Sequence, residues 1–105
     1  MNPNENNWHF ITKHGLVLSY ISNHPSHTAR EISLEINITE RTTHKIIKDL
    51  EIAGYIKKQK KGRNNSYTVE TDQRLRHPSK GHVVISKFLD ALALDTTDYK
   101  KHVNY

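Results

Sequence analysis

Cysteine is absent from this 105-residue chain, which removes disulfides and thiolate metal sites together and fits a reducing compartment. No run of about 18 apolar residues is present. The first residues, Met1 to Asn7, are polar rather than basic and then apolar, so neither a membrane span nor a secretory signal is expected. The expected location is the cytoplasm. No nucleophile stands near a histidine and an acid, there is no glycine-rich phosphate loop, and no closely paired carboxylates occur. An enzyme is not expected. At this length the chain suits one domain and leaves no room for a separate catalytic one. With 34% hydrophobic and 26% charged residues its core must be modest, which argues against a large internal substrate cavity.

Histidine is the abundant exception, with eight copies, and His24-Pro25-Ser26-His27 and His77 to His82 are the obvious pairs. Structural zinc usually draws four ligands, often including cysteine, and here no carboxylate completes a pair at a suitable spacing. Surface histidines are the better reading, and no metal or other cofactor is expected. Trp8 and Phe10 read in the same way as core or interface rather than as a ligand cage.

The net charge of +5 is unevenly placed. From Arg41 to Arg63 there are eight basic residues (Arg41, Lys45, Lys48, Lys57, Lys58, Lys60, Lys61, Arg63) against Asp49 and Glu51, a local net of +6 that leaves −1 for the rest of the chain. Lysine-rich faces are often merely solvated. Concentration in one segment is what binding to a polyanion requires.

Apolar periodicity predicts a first helix from about Trp8 to Asn23, with Ile11, Val17, Leu18 and Ile21 facing inward and Asn23-His24-Pro25 marking its end. Thr28 and Glu31 form a capping-box pattern, opening a short second helix to about Ile36 with Ala29, Ile32 and Ile36 on one face. In the connection that follows, Asn37 suits a left-handed helix stop, Ile38 can fill the angle between helices, and Thr39 can cap the next helix. This reads as a helix-turn-helix, or equally as an αα-hairpin of a bundle until the third helix is considered.

That helix, from about Thr39 to Ala53, carries two faces. At about 100° per residue, Thr43, Ile46, Ile47 and Leu50 form a stripe for the core. Arg41, Lys45 and Lys48 fall within a sector of about 60° on nearly the opposite side. His44 and Thr42 flank the sector near the N-terminal half, where a helix in the major groove of a duplex offers side chains to base edges. Arg41 suits bidentate contact with guanine; Lys45 and Lys48 suit bases or phosphates.

Ala53-Gly54 ends the helix. Two strands, about Tyr55 to Lys60 and Ser66 to Glu70, are expected around a turn at Lys61-Gly62-Arg63-Asn64-Asn65. Arg63 at its tip can reach a phosphate or a narrow minor groove.

Taken together, Ala29-Arg30-Glu31-Ile32, the stretch Ile36-Asn37-Ile38-Thr39-Glu40-Arg41-Thr42 and Asp49-Leu50-Glu51-Ile52-Ala53-Gly54-Tyr55-Ile56 resemble winged helix-turn-helix regulators of the MarR/ArsR-like type. A compact subgroup of short regulators carries a wing similar to Gly62-Arg63-Asn64-Asn65-Ser66-Tyr67 and an element similar to Leu75-Arg76-His77-Pro78; the resemblance covers about Trp8 to Leu92. It implies a mainly α fold with a small β-hairpin (α+β), a winged helix-turn-helix with an additional C-terminal helix. It also implies recognition by Thr39 to Lys48 and a wing contact from Arg63. Asn37 stands where the family often has glycine, and Thr43 where an aliphatic residue is common.

The expected organisation is therefore a flexible N-terminus at 1–7, a DNA-binding domain at 8–70, a connection and C-terminal helix at 71–94, and a polar tail at 95–105. In the C-terminal helix, from Lys80 to about Ala93, Val84, Ile85, Phe88, Leu89 and Leu92 form an apolar stripe that either folds back on its own domain or, as favoured here, pairs with a second subunit. The expected partners are double-stranded DNA and a second copy of the chain. The expected DNA-contacting set is Thr39, Glu40, Arg41, Thr42, His44, Lys45, Lys48, Lys58, Lys61, Arg63 and Asn64. Two other readings stand beside a homodimeric repressor: a winged-helix module for protein contacts in a larger assembly, and, more distantly, a metal-responsive regulator built on the histidines. No residue in the sequence names an effector ligand.

Overall fold

The computed structural model describes residues 8–93, so the expectations for 1–7 and 95–105 lie outside the described residues. Within them the order is α1 (Lys13–Asn23), α2 (Ala29–Ile36), α3 (Glu40–Ile52), β1 (Ile56–Lys61), β2 (Asn64–Val69) and α4 (Ile85–Leu92).

Helix α1 starts five residues later than its apolar pattern suggests. Thr12 is extended, and its hydroxyl accepts a hydrogen bond from the Gly15 amide at 3.1 Å, which fixes the first turn at Lys13. Residues 8–12 precede it as a non-helical strap on which Trp8 and Phe10 meet edge to face, 5.0 Å between centroids. The capping box of α2 is formed as expected. Thr28 Oγ1 accepts from the Glu31 amide at 3.2 Å, and Glu31 Oε1 accepts from the Thr28 amide at 2.8 Å. Asn37 closes α2 in the left-handed region, φ 65°, and Thr39 caps α3.

The core unites Val17, Leu18 and Ile21 of α1 with Ile32 of α2, with Ile46, Ile47 and Leu50 of α3, and with Tyr55, Ile56 and Tyr67 around the hairpin. Thr43, the unusual polar member of the α3 stripe, is fully buried, and its hydroxyl donates to the Thr39 carbonyl at 3.0 Å. Its polar atom is therefore satisfied within the helix.

Strands β1 and β2 are antiparallel, pairing Ile56 with Val69 and Lys61 with Asn64. The turn is tighter than the five residues expected, because pairing runs on until only Gly62 and Arg63 remain unpaired. Gly62 takes φ 62°, the positive value that a two-residue hairpin matched to strand twist requires.

Helix α4 also starts five residues later than expected. Residues 80–84 are first spent on a turn and a bridge: Leu75 N donates to Val83 O at 3.0 Å, Arg74 Nη1 to His82 O at 3.0 Å, and Ile85 N to Gln73 O at 2.6 Å. Arg74 and Val84 form an antiparallel bridge. The helix then folds back onto α1, and Ile85 and Leu89, two of the five residues expected at a subunit interface, are enclosed in the chain's own core. Val84, Phe88 and Leu92 stay half-buried. Gly15 eases this approach, since a Cβ there would sit 3.0 Å from Ile11 Cγ2 and 3.2 Å from Phe88 Cζ. Among the described residues no helix is long and apolar enough to cross a membrane.

Candidate nucleic-acid interface

The inner face of α3 holds the helix rigidly in place: Thr43, Ile46, Ile47 and Leu50 are all buried. At about 1.5–3 kcal/mol per fully buried aliphatic side chain, this face anchors the helix far more strongly than its surface pairs do. Its outer face presents Arg41, His44, Lys45 and Lys48, all exposed.

The N-terminal turn is committed to capping. The Thr39 hydroxyl donates to Thr42 Oγ1 at 2.8 Å and accepts from the Thr42 amide at 3.0 Å, so both threonines shape the end of the helix that carries Arg41. Glu40 lies 3.6 Å from His44, one turn on. Lys45 donates to Asp49 Oδ2 at 3.3 Å, and His14 of α1 meets the same oxygen at 2.8 Å. The hydrogen bond from His14, and after it the one from Lys45, holds the Asp49 carboxyl below the usual aspartate range. Asp49 thus stays ionised and ties α1 to α3 at the surface. Pairs this exposed contribute at most about 1 kcal/mol, so Lys45 can exchange Asp49 for a phosphate at little cost. Among the described residues Arg41 and Lys48 have no acidic partner.

The hairpin is fastened to the helices by main-chain bonds. Tyr67 N donates to Pro25 O in the α1–α2 connection at 3.0 Å, and Tyr55 N, at the foot of β1, to Leu50 O of α3 at 2.9 Å. Lys57 pairs with Glu70 at 3.2 Å, while Lys58 and Arg63 are exposed. The side chains of Lys61 and Asn64 lie outside the described residues. The structure therefore brings the expected residues together in two sets, one on α3 and one on the hairpin. Among the described residues no hydrogen bond or ion pair joins the sets.

Sequence reasoning did not find the part played by His14. It lies 35 residues from Asp49, and neither a motif nor a periodicity links the two. The histidine pairs are otherwise engaged: His24 and His27 stack with centroids 4.7 Å apart, His27 Nδ1 hydrogen-bonds the Tyr20 hydroxyl at 2.8 Å, and His77 Nδ1 bonds the Ser79 hydroxyl at 2.8 Å. Among the described residues no three histidine, aspartate or glutamate side chains are placed to hold a metal ion.

A short helix, a tight turn through Asn37, a second helix clamped by its inner face and a tethered β-hairpin define a winged helix-turn-helix domain, here of α+β class with a C-terminal helix added. Residues 12–57 match the family model described as winged helix-turn-helix DNA-binding, a match that supports DNA as the partner of this segment. Among curated proteins no significant match to the chain was found.

Proposed function

We propose that the chain is a sequence-specific transcription regulator of the MarR/ArsR-like type, a non-enzymatic homodimeric repressor of the cytoplasm that blocks polymerase access to its operator. The observation that carries this reading is the outer face of α3, where Arg41 and Lys48 stand exposed without an acidic partner on a helix whose other side is buried. Helix α3 enters the major groove by its N-terminal half. Arg41 reads a guanine, Thr39, Glu40, Thr42 and His44 line the approach, and Lys45 and Lys48 contact bases or phosphates. Lys58 and Arg63 of the wing meet the backbone or the adjacent minor groove. A homodimer is supported by the half-buried Leu92 on α4 and Val84 just before it, and by Trp8, which is 68% exposed. Two-fold pairing places recognition helices about 34 Å apart on one face of the duplex.

Selection of bound sites from a random duplex pool tests this directly, and a pseudo-palindromic motif is the expected result. On the selected site Arg41→Ala reduces discrimination against random DNA by about 1–3 kcal/mol, whereas Lys58→Ala weakens both sequences alike. Recovery of unrelated sequences, or equal losses on both DNAs for Arg41→Ala, would overturn sequence reading by this helix.

A further inference from the structure

Asp49 engages the cationic face of α3 from the same helix: its Oδ2 accepts from Lys45, one turn before it, at 3.3 Å. Helical side chains lean toward the N-terminus, so this pair draws the Lys45 ammonium the other way, from the Arg41 end toward the C-terminal turn. The same oxygen is met from α1 by His14 Nε2 at 2.8 Å. The His14 and Asp49 side chains are 47% and 41% exposed, so water and protons reach both. Lys13 adjoins His14 on α1. His14 and Asp49 also line a cavity of about 720 Å³ behind α3, where the other ionisable groups are Tyr55, Arg76, His77 and Lys80. Tyrosine, lysine and arginine ordinarily titrate at about pH 10 or above, and burial pushes the Tyr55 hydroxyl further up. The remaining group, His77, is bonded to the Ser79 hydroxyl.

We propose that His14 is a positioning residue for DNA binding: as an imidazolium it takes over the charge of Asp49 and releases Lys45 toward the duplex. The role rests on the DNA reading; the link from His14 through Asp49 to Lys45 does not. Histidine is the side chain whose ordinary titration falls between about pH 5 and 8. Neutral His14 can donate a hydrogen bond to Asp49 but leaves the negative charge for Lys45 to balance. Imidazolium His14 balances that charge itself, and the three groups together then carry a net positive charge beside the outer face of α3. Lys45 is left to lean toward the Arg41 end, where a phosphate is the better partner. Duplex affinity therefore rises as pH falls, and part of the rise passes through a residue that need not touch DNA. His44 is a separate source of pH dependence, because it stands on the outer face itself, 3.6 Å from Glu40.

The test uses the full chain carrying His44→Gln, to remove that direct effect, and a labelled mixed-sequence duplex at fixed salt, titrated by fluorescence anisotropy at about pH 5.5 and about pH 8. Adding His14→Gln, which keeps a donor but cannot become charged, removes about two- to fivefold of the gain in affinity at the lower pH, the size of one exposed ion pair exchanged. With Asp49→Asn or Lys45→Ala also present, the His14 substitution changes nothing further. Circular dichroism checks that each variant is folded. A second readout needs no DNA: the NMR signal of the Lys45 ε-methylene in the free chain follows a titration near neutral pH that His14→Gln abolishes. An unchanged pH response in the His14→Gln chain overturns the proposal. So does a His14 effect that persists in full with Lys45→Ala, which makes His14 a direct phosphate contact, and so does a Lys45 signal indifferent to His14→Gln. Absence of duplex binding at both pH values, with Lys45 still following His14, overturns the DNA reading and this role with it, and leaves the link between the three residues standing.

Discussion

Asn37 holds the turn between α2 and α3 with φ at 65° and ψ at 49°, a conformation that costs most L-residues about 1–2 kcal/mol. Asn37→Gly is expected to be nearly neutral in chemical denaturation, and Asn37→Val to lose at least about 1 kcal/mol. At the start of α2, Thr28→Ala removes the hydroxyl that caps Glu31 N and is expected to cost about 1 kcal/mol. The same box gives a pH dependence. Hydrogen bonds from Thr28, its backbone amide first, hold the Glu31 carboxyl below its ordinary value of 4.5, and those from His14 and Lys45 hold Asp49 below 3.8. A depressed folded-state pKa stabilises fully above the unfolded value and is lost as pH falls through the folded one. The thermal midpoint should therefore fall as pH drops below about 4.5, and the Glu31→Gln/Asp49→Asn double variant should flatten that decline. An unchanged acid limb would show that these bonds do not persist in solution. At this scale the caps were legible, because Thr28, Glu31, Asn37 and Thr39 act on backbone groups within four residues of themselves. The His14 to Asp49 bond was not, because only folding brings the two together.

At the scale of elements, apolar spacing located all four helices but misplaced the starts of two. Ile11 fits the period of α1, yet Thr12 caps the helix one residue later and leaves Ile11 in the strap, half-buried. Val84 fits the period of α4, yet Arg74 takes it as a bridge partner. In both places a specific hydrogen bond overrode a pattern that was correct about burial and silent about conformation. The close approach of Phe88 to α1 is eased by Gly15, whose small size carried no signal in a reading based on apolar positions. Gly15→Leu should drive α4 from α1, costing about 1–3 kcal/mol by overpacking and raising amide exchange in α4 before α2 or α3. Exchange that rises uniformly would mean that α4 is not held through this contact.

For the whole molecule, the informative quantity is where charge sits relative to the core. The net charge of +5 follows from composition, but the structure shows which cations are spent and which are free. Lys45 is shared with Asp49 and Lys57 with Glu70, whereas Arg41, Lys48, Lys58 and Arg63 are exposed and form no ion pair among the described residues. Sequence spacing already separated the two faces of α3, since helical geometry alone decides that division. It did not reveal the cavity behind α3, whose walls come from segments more than sixty residues apart and meet only when α4 folds back.

The central claim is that α3 delivers its outer cations to the phosphates and bases of a duplex. The most direct measurement is duplex affinity against salt concentration for the wild type and for Arg41→Ala/Lys45→Ala/Lys48→Ala, three exposed positions whose loss leaves the core intact. The account predicts a steep linear fall of log affinity with log salt for the wild type, and a slope shallower by about two to three units for the variant. A wild-type affinity indifferent to salt, or a folded triple variant with the wild-type slope, would contradict it.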